Sequence, residues 1–281
     1  MMTAMPAPTP TIITSVANPR IKGAAALRDR RERDRTGLTL VDGAREIRRA
    51  LEAGADLVEV YVCESLLAGP DARAALDWIR GRDVPLQPTS EAVFGKLAFG
   101  ERAEGLVAIA RIPPLGLDAM TLAEDPLVAV VEGVEKPGNL GAILRSADGA
   151  AVDGVVAASP RTDLFNPNTI RASAGTIFTV PLAAAPAQDV LAWLRQRGLR
   201  IVAARVDGTE RYTEVDLSGP LAVVLGAEAE GLGETWSTPD IVGVRLPMLG
   251  VADSLNVSVT AAILFYEARR QRGEPARTTR G

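Results

Sequence analysis

Six short apolar runs in the second half of the chain constrain its fold more than any other feature. They lie at 127–133, 154–158, 176–182, 199–206, 221–226 and 241–247. None of them alternates apolar with polar residues, which is typical of strands that are covered on both faces. Helical patterns occur between and after them, at 140–151, 187–197 and 254–271. The pattern therefore predicts an α/β domain over residues 127–271, built on a largely parallel sheet.

The preceding residues alternate apolar runs with helical patterns on a smaller scale, which predicts a small α/β domain over 12–111. Residues 112–126 contain Pro113, Pro114, Gly116 and Pro126 without a strong period, so they are predicted to be a linker. We expect a flexible N-terminal tail at 1–11 and a polar C-terminal tail at 272–281.

Composition excludes several kinds of chemistry. The 281 residues contain no histidine, so the chain can build neither a Ser-His-Asp triad nor a His-based zinc site, and we expect no metal. The one cysteine, Cys63, lies in the apolar run "LVEVYVC" and is predicted to be a buried reduced thiol. The N-terminus lacks the features of a secretory signal and no apolar stretch is long enough to cross a bilayer. Cytoplasmic residence and no membrane partner are expected.

The net charge of -4 argues against a protein coated in positive charge, so a nucleic acid would have to bind a local patch. One candidate is "RIKGAAALRDRRERDR" at 20–35, which has seven basic and three acidic residues. Such a run is usually a solvated helix face with local ion pairs. A contact surface for nucleic acid is the alternative.

Three loops at predicted strand ends carry polar residues. In the first, "VEGVEKPGNLGAILRSA", Asn139 suits the N-cap of a helix. Arg145 lies six residues later, in a segment that otherwise favours burial, and a buried guanidinium needs an anionic partner. The chain has neither the dinucleotide-binding pattern G-x-G-x-x-G at this loop nor a Walker-type phosphate loop.

The other two loops follow the runs at 221–226 and 241–247. "LGAEAEGL" brings Glu228 into a Gly-rich loop, which taken alone is a weak signal. In "LPMLGVADSLNVSVTAA", Ser254 or Asn256 can cap the last helix while the other faces a ligand. Because α/β sheets bind ligands at the carboxyl ends of their strands, the three loops predict a single site.

These motifs resemble a known family. "NLGAILRSA" (139–147), "LGAEAEGL" (225–232) and "LPMLGVADSLNVSVTAAILFYE" (246–267), in this order, are similar to the three motifs of the SpoU/TrmH RNA ribose 2'-O-methyltransferases of the SPOUT superfamily. The N-terminal part resembles, more loosely, the L30e-like RNA substrate-binding domain that many members carry. The resemblance implies a deep trefoil knot, a homodimer formed through the knotted domain and S-adenosyl-L-methionine as cofactor.

Matching the motifs residue by residue implies two groups of site residues. The cofactor-binding group is Leu225, Gly226, Leu246, Met248 and Leu255, and the catalytic group is Asn139, Arg145, Glu228, Ser254 and Asn256. A guanidinium stays protonated, so we interpret Arg145 as a clamp on a phosphate or on the developing alkoxide. Glu228, or a water that it orders, is the candidate proton acceptor, and a structural role for it is equally open.

The resemblance also implies an RNA substrate, with ribosomal RNA favoured over tRNA because the front domain is similar to those of rRNA-directed members. Candidate RNA contacts are Arg20, Lys22, Arg28, Arg31 and Arg102. Two alternatives remain at this stage. One is a non-catalytic knotted dimer that binds RNA during ribosome assembly, and the other is a small-molecule transferase, which the basic front domain disfavours.

Overall fold

The computed structural model describes residues 11–82, 84–99, 104–227 and 230–273. The chain divides into two compact units, one made of residues 1–113 with 165–167 and the other of residues 114–164 with 168–281. The division falls inside the segment predicted as a linker. Glu228 and Arg102, as well as residues 1–10 and 274–281 of the predicted tails, lie outside the described residues.

The first unit is a four-stranded sheet with helices around it. Its helices are α1 (Pro19–Ala26), α2 (Arg30–Thr36), α3 (Ala44–Glu52), α4 (Gly69–Arg80) and α5 (Glu91–Leu97), and its strands are β1 (Leu38–Asp42), β2 (Leu57–Val62), β3 (Leu86–Pro88) and β4 (Leu106–Arg111). The strand order is β1-β4-β2-β3, antiparallel except for the parallel pair of β2 and β3. Leu40, Tyr61 and Phe94 lie in its core, and Cys63 is buried and free, as predicted.

The second unit contains the continuous apolar strands. Its strands are β5 (Leu127–Glu132), β6 (Gly154–Ala158), β7 (Leu182–Ala185), β8 (Arg200–Ala204), β9 (Glu210–Arg211), β10 (Leu221–Leu225) and β11 (Ile241–Arg245). Its helices are α6 (Pro137–Gly149), α8 (Ala187–Gln196) and α9 (Val257–Arg272), and a short helix α7 (Pro167–Ala172) runs from residues of the first unit into it.

The seven strands form one sheet in the order β7-β6-β5-β10-β8-β11-β9, and each neighbouring pair is parallel. Every residue of β6 and β10 is buried, because α8 packs against the sheet through Val190 and Leu194 while α9 packs against β10 and α6. The predicted α/β fold with a largely parallel sheet is confirmed. The strand order does not by itself establish the trefoil knot, which stays a prediction.

Two local predictions about the second unit were wrong. The run 176–182 is not one strand: Thr176–Phe178 form a 3-10 helix, and β7 begins only at Leu182, after Pro181. The last helix begins at Val257 rather than at 254, and it ends at Arg272. Within the predicted linker, Leu117–Ala119 form a 3-10 helix, and Met120 is buried against the core of the second unit.

No helix among the described residues is long and apolar enough to span a membrane.

Candidate active site

A cavity of about 1020 Å³ lies at the carboxyl ends of β8, β10 and β11. Parallel strands bring these ends to the same edge of the sheet, so segments far apart in the chain meet there. Its lining comes from residues 204–207, 225–227, 230–232, 244–248, 253–257 and Thr260, together with Lys136 from the turn before α6. The structure thus brings two of the three predicted loops into the wall of one cavity, and the first loop contributes to it through Lys136.

All five residues predicted to bind the cofactor line this cavity. Leu225 and Gly226 come from the end of β10, whereas Leu246, Met248 and Leu255 come from the segment between β11 and α9. Gly226 is a position that only glycine fits, because an added Cβ would lie 2.3 Å from the backbone carbon of Gly231. The close approach of these two backbones shapes the wall beside the 227–231 loop.

Asn256 joins the start of α9 to the first turn of α6. Its Oδ1 accepts hydrogen bonds from the Ser258 backbone N–H at 2.9 Å and from the Ser258 hydroxyl at 2.7 Å, so Asn256 is the N-cap of α9. Its Nδ2 donates to Oδ1 of Asn139 at 3.3 Å. Two predicted catalytic residues, 117 positions apart, are therefore in contact, and one of them lines the cavity.

The structure corrects the expectation that Asn139 caps α6. The N-cap is Lys136, and Pro137 occupies the first helical position, where its missing N–H costs nothing. Asn139 consequently lies inside the first turn, where its side-chain Oδ1 accepts a hydrogen bond from Asn256.

Ser254 lines the cavity and is exposed to solvent. Arg145 does not line it and is also exposed, so the argument that Arg145 would be buried was wrong. In α6 the buried positions are Leu140, Gly141, Ile143, Leu144 and Ala147, and Arg145 falls beside that stripe. Six residues along a helix correspond to about 9 Å and leave Arg145 about a third of a turn away from Asn139. The Arg145 side chain makes no hydrogen bond or ion pair with the described residues.

The loop predicted to carry Glu228 is closed by its own backbone. Ala227 and Gly231 exchange N–H···O=C bonds of 3.1 and 3.0 Å, and Gly231 adopts a φ of +69° that favours glycine. Glu228 itself lies outside the described residues. From this loop Glu230 lines the cavity and forms an ion pair with Arg161, with Nη2 and Oε2 2.5 Å apart.

Sequence reasoning placed Glu230 in the Gly-rich loop but missed Arg161 and its pairing with Glu230 and Glu135. The Arg161 Nη1 also lies 2.9 Å from Oε1 of Glu135, just before α6. A hydrogen bond from the Arg161 guanidinium, with its positive charge, lowers the pKa of Glu230 below its ordinary value. No sequence signal identified this cluster, because its members are separated by 26 and 69 residues and belong to three different loops.

Two arginines on the cavity wall are held by neighbouring groups of the protein. Arg205 forms an ion pair with Asp207, with Nε and Oδ1 2.9 Å apart, and the hydrogen bond that the guanidinium donates to the Asp207 carboxylate raises the pKa of Arg205. Arg245 donates to the carbonyl oxygens of Gly208 and Thr209 at 2.6 and 2.8 Å. These two guanidinium groups are thus held by the protein and shape the wall.

The predicted RNA contacts in the first unit fall into two groups. Arg28 donates to the carbonyl oxygens of Leu97 and Ala98 at 2.9 and 2.7 Å, and Arg20 bonds to Gln87 and Glu59, so both stabilise the unit itself. Lys22 and Arg31 are exposed, and their side chains form no hydrogen bond or ion pair with the described residues. Lys22 and Arg31 are therefore the two predicted contacts that can bind a ligand without losing a side-chain hydrogen bond or ion pair within the described residues.

Comparison with known proteins identifies the family. The model of the SpoU rRNA Methylase family matches residues 126–266, about half of the chain. The chain belongs to this family. The model of the MRM3-like substrate binding domain matches residues 18–108, so the resemblance found in the motifs is confirmed and the N-terminal unit has a family match of its own.

Relatives match this SpoU-family chain over most of its length. The 23S rRNA (uridine(2479)-2'-O)-methyltransferase of Streptomyces viridochromogenes is 30% identical, covering 88% of each chain. A crystal structure of an RNA 2'-O ribose methyltransferase is 43% identical with a TM-score of 0.81, covering 93% of this chain and 99% of that one. The AdoMet-bound rRNA methyltransferase from Sinorhizobium meliloti is 28% identical with a TM-score of 0.83, covering 92% and 97%.

Proposed function

We propose that this chain is an S-adenosyl-L-methionine-dependent methyltransferase that modifies a ribose 2'-hydroxyl in ribosomal RNA. The observation that carries the proposal is the cavity at the strand ends, lined by two of the family's three motifs, with Asn139 of the remaining motif bonded to Asn256 on its wall. The named activities of the S. viridochromogenes relative and of the 43% identical structure support the reaction and the RNA class.

The cavity suits this cofactor in size and chemistry. Its volume of about 1020 Å³ is at the upper end of the range for small-molecule sites. The apolar side chains of Leu225, Leu246 and Met248 suit the flat face of an adenine, and the polar Ser254 suits the hydroxyl, amino and carboxylate groups of the cofactor. When bound, the cofactor supplies an electrophilic methyl group on a sulfonium.

The side chains near the cavity then have to orient the ribose and accept one proton. The hydrogen bond between Asn256 and Asn139 fixes one amide on each of two helices, which preorganises their polar groups for the substrate. Arg145 serves as a clamp on a substrate phosphate or on the developing alkoxide, because its guanidinium stays protonated. Glu228, or a water that it orders, accepts the proton in this proposal.

We further propose that the protein acts as a homodimer in which Arg145 reaches the cavity of the partner copy. Arg145 is exposed and does not line the cavity of its own chain. Nine large hydrophobic residues are exposed in the described part of the chain, and five of them cluster in one stretch of sequence, Leu249, Val251, Leu255, Val259 and Tyr266. Such a concentration is typical of a surface that another protein covers.

RNA binding is assigned to the first unit, through Lys22 and Arg31. Three further expectations from the sequence stay predictions. They are an RNA contact by Arg102, the trefoil knot and cytoplasmic residence. The basic run 20–35 is partly the solvated, ion-paired helix face considered at the outset, because Arg35 pairs with Glu32 and Arg30 with Asp34. The patch that remains for RNA is smaller than the sequence suggested.

Transfer of a tritiated methyl group from the cofactor to purified rRNA tests the proposed function, with mapping of 2'-O-methyl positions to locate the product. We expect RNase-sensitive incorporation that falls about 100-fold in Arg145→Ala, with cofactor affinity nearly unchanged. Cofactor binding without methyl transfer to rRNA or tRNA would instead favour a non-catalytic RNA-binding protein. Incorporation that resists RNase would indicate a small-molecule substrate.

A further inference from the structure

Arg161 links two loops that belong to different parts of the candidate active site. Its guanidinium lies 2.9 Å from Glu135 Oε1, in the turn before α6, and 2.5 Å from Glu230 Oε2, in the 227–231 loop. Its backbone N–H donates to the Val134 carbonyl oxygen at 3.1 Å. The backbone of Arg161 and both Nη groups of its guanidinium are therefore held, and the two bonds to carboxylates are charge-assisted.

Glu230 is next to backbone that is held in place and forms part of the cavity wall. Ala227 and Gly231 are joined by their reciprocal backbone bonds, and Gly226 packs directly against Gly231. Gly226, Glu230 and Gly231 all line the cavity. A displacement of Glu230 consequently changes the shape of the cavity wall.

The ion pairs contribute little to global stability. The side chains of Arg161, Glu135 and Glu230 are 49%, 54% and 63% exposed. Exposed pairs of this kind are screened by solvent and add little to the free energy of unfolding. Their effect is instead local, on the position of Glu230 and Gly231, because short segments open at much lower free energy than the whole domain.

We propose that Arg161 is a positioning residue for the cofactor: it holds Glu230, and with it the adjacent Gly231, against the turn at Glu135, so that the cavity wall is preformed. The inference rests on the proposed function, since it concerns the same cavity. In this proposal Arg161 raises the affinity for the cofactor but does not contact the reacting atoms. If the wall had to become ordered when the cofactor binds, the conformational entropy lost would reduce the affinity.

Isothermal titration calorimetry of the full chain tests the proposal, with S-adenosylmethionine and S-adenosylhomocysteine as separate probes. Arg161→Ala should weaken the binding of both by about tenfold, because both ligands use the same wall while only the first carries a sulfonium charge. The KM for the cofactor should rise by a similar factor, and kcat at saturating cofactor should stay near that of the wild type.

Two further variants separate positioning from general damage. The exchange Arg161→Glu with Glu135→Arg and Glu230→Arg restores both ion pairs with reversed charges and should recover most of the lost affinity, whereas Arg161→Glu alone should not. Arg195→Ala is the matched control, because Arg195 pairs with Asp240 at 2.8 Å, is similarly exposed and does not line the cavity. It should bind both probes like the wild type, and its thermal midpoint should match that of Arg161→Ala.

Unchanged affinity of Arg161→Ala for both probes would overturn the proposal. Weakened binding of the sulfonium compound alone would also overturn it, since the effect would then be one of charge rather than of loop position. A wild-type protein that binds neither probe would contradict the proposed function itself. These results are distinguishable because the first two require a wild type that binds.

Discussion

Asn256 uses the two ends of its amide for different purposes. Oδ1 caps α9 through the Ser258 backbone N–H, and Nδ2 donates to Asn139. Asn256→Asp keeps the cap, since the two residues are nearly equal at this position, but removes the donor. We expect a free energy of unfolding within about 0.5 kcal/mol of the wild type and a methyl-transfer rate lower by about tenfold, from urea unfolding and a tritium assay.

Asn256→Ala provides the comparison, because it removes both functions and should also lose about 1 kcal/mol of stability. Full activity in Asn256→Asp would mean that the amide N–H has no part in the reaction.

At the scale of residues, the motifs predicted the cavity wall well but not the contacts that organise it. Leu225, Gly226, Leu246, Met248, Ser254 and Leu255 line the cavity that their motifs implied. The burial of Arg145 was mispredicted because apolar neighbours in sequence do not fix the phase of a helix, and α6 begins at Pro137 rather than at 140. Arg161 was missed because its contacts depend on tertiary structure alone.

At the scale of elements, α9 begins beside the cavity and is held in place at its other end by Arg272. The Arg272 side chain is only 6% exposed and donates to the carbonyl oxygens of Asp125, Pro126, Leu217 and Gly219. Arg272→Ala leaves these acceptors without their charged donor. We expect a loss of about 2–3 kcal/mol in the free energy of unfolding, measured in urea.

Arg270→Ala is the matched control for this element. Arg270 lies two residues earlier in α9, is 69% exposed and pairs with Glu267 at 2.8 Å. A pair of this kind contributes about 0.5 kcal/mol or less. Equal losses in the two variants would show that the buried contacts of Arg272 do not hold the helix end.

The strands were more predictable than the other elements. Five of the six continuous apolar runs coincide with strands to within about two residues, because burial on both faces demands such runs. The exception, at 176–182, follows Gly175, whose φ of +83° turns the chain into a 3-10 helix. A short apolar run cannot by periodicity alone be assigned to a strand rather than to another buried segment.

At the scale of the whole molecule, RNA binding by the first unit can be tested with two exposed cations. Lys22→Ala combined with Arg31→Ala should weaken the binding of an rRNA fragment and reduce the slope of log K against log salt by about 1.4, the value for two phosphate contacts to single-stranded RNA. Arg28→Ala should mainly destabilise the unit, since its donors serve the Leu97 and Ala98 carbonyl oxygens. An unchanged slope in the double variant would remove this patch from the RNA-binding surface.

The proposed dimer predicts that two impaired variants complement each other when they are mixed. If Arg145 acts on the partner's cavity, a mixed dimer of Arg145→Ala and Asn256→Ala contains one site with both residues intact, although each variant alone is strongly impaired. Co-refolding the two in equal amounts should restore about a quarter of wild-type activity, because half of the dimers are mixed and each has one complete site.

Activity no higher than that of the separate variants would instead place Arg145 in its own chain's site, provided that native mass spectrometry shows the mixed dimers. Tyr266→Asp supplies the structural control. Its exposed position on α9 lies seven residues after Val259, on the same face of the helix, so a charge there should shift the protein towards monomer. Val16→Asp, on an exposed site of the other unit, should leave the dimer intact. Restoration by mixing thus requires the α9 surface, which ties the apolar stretch at 249–266 to the completion of the active site.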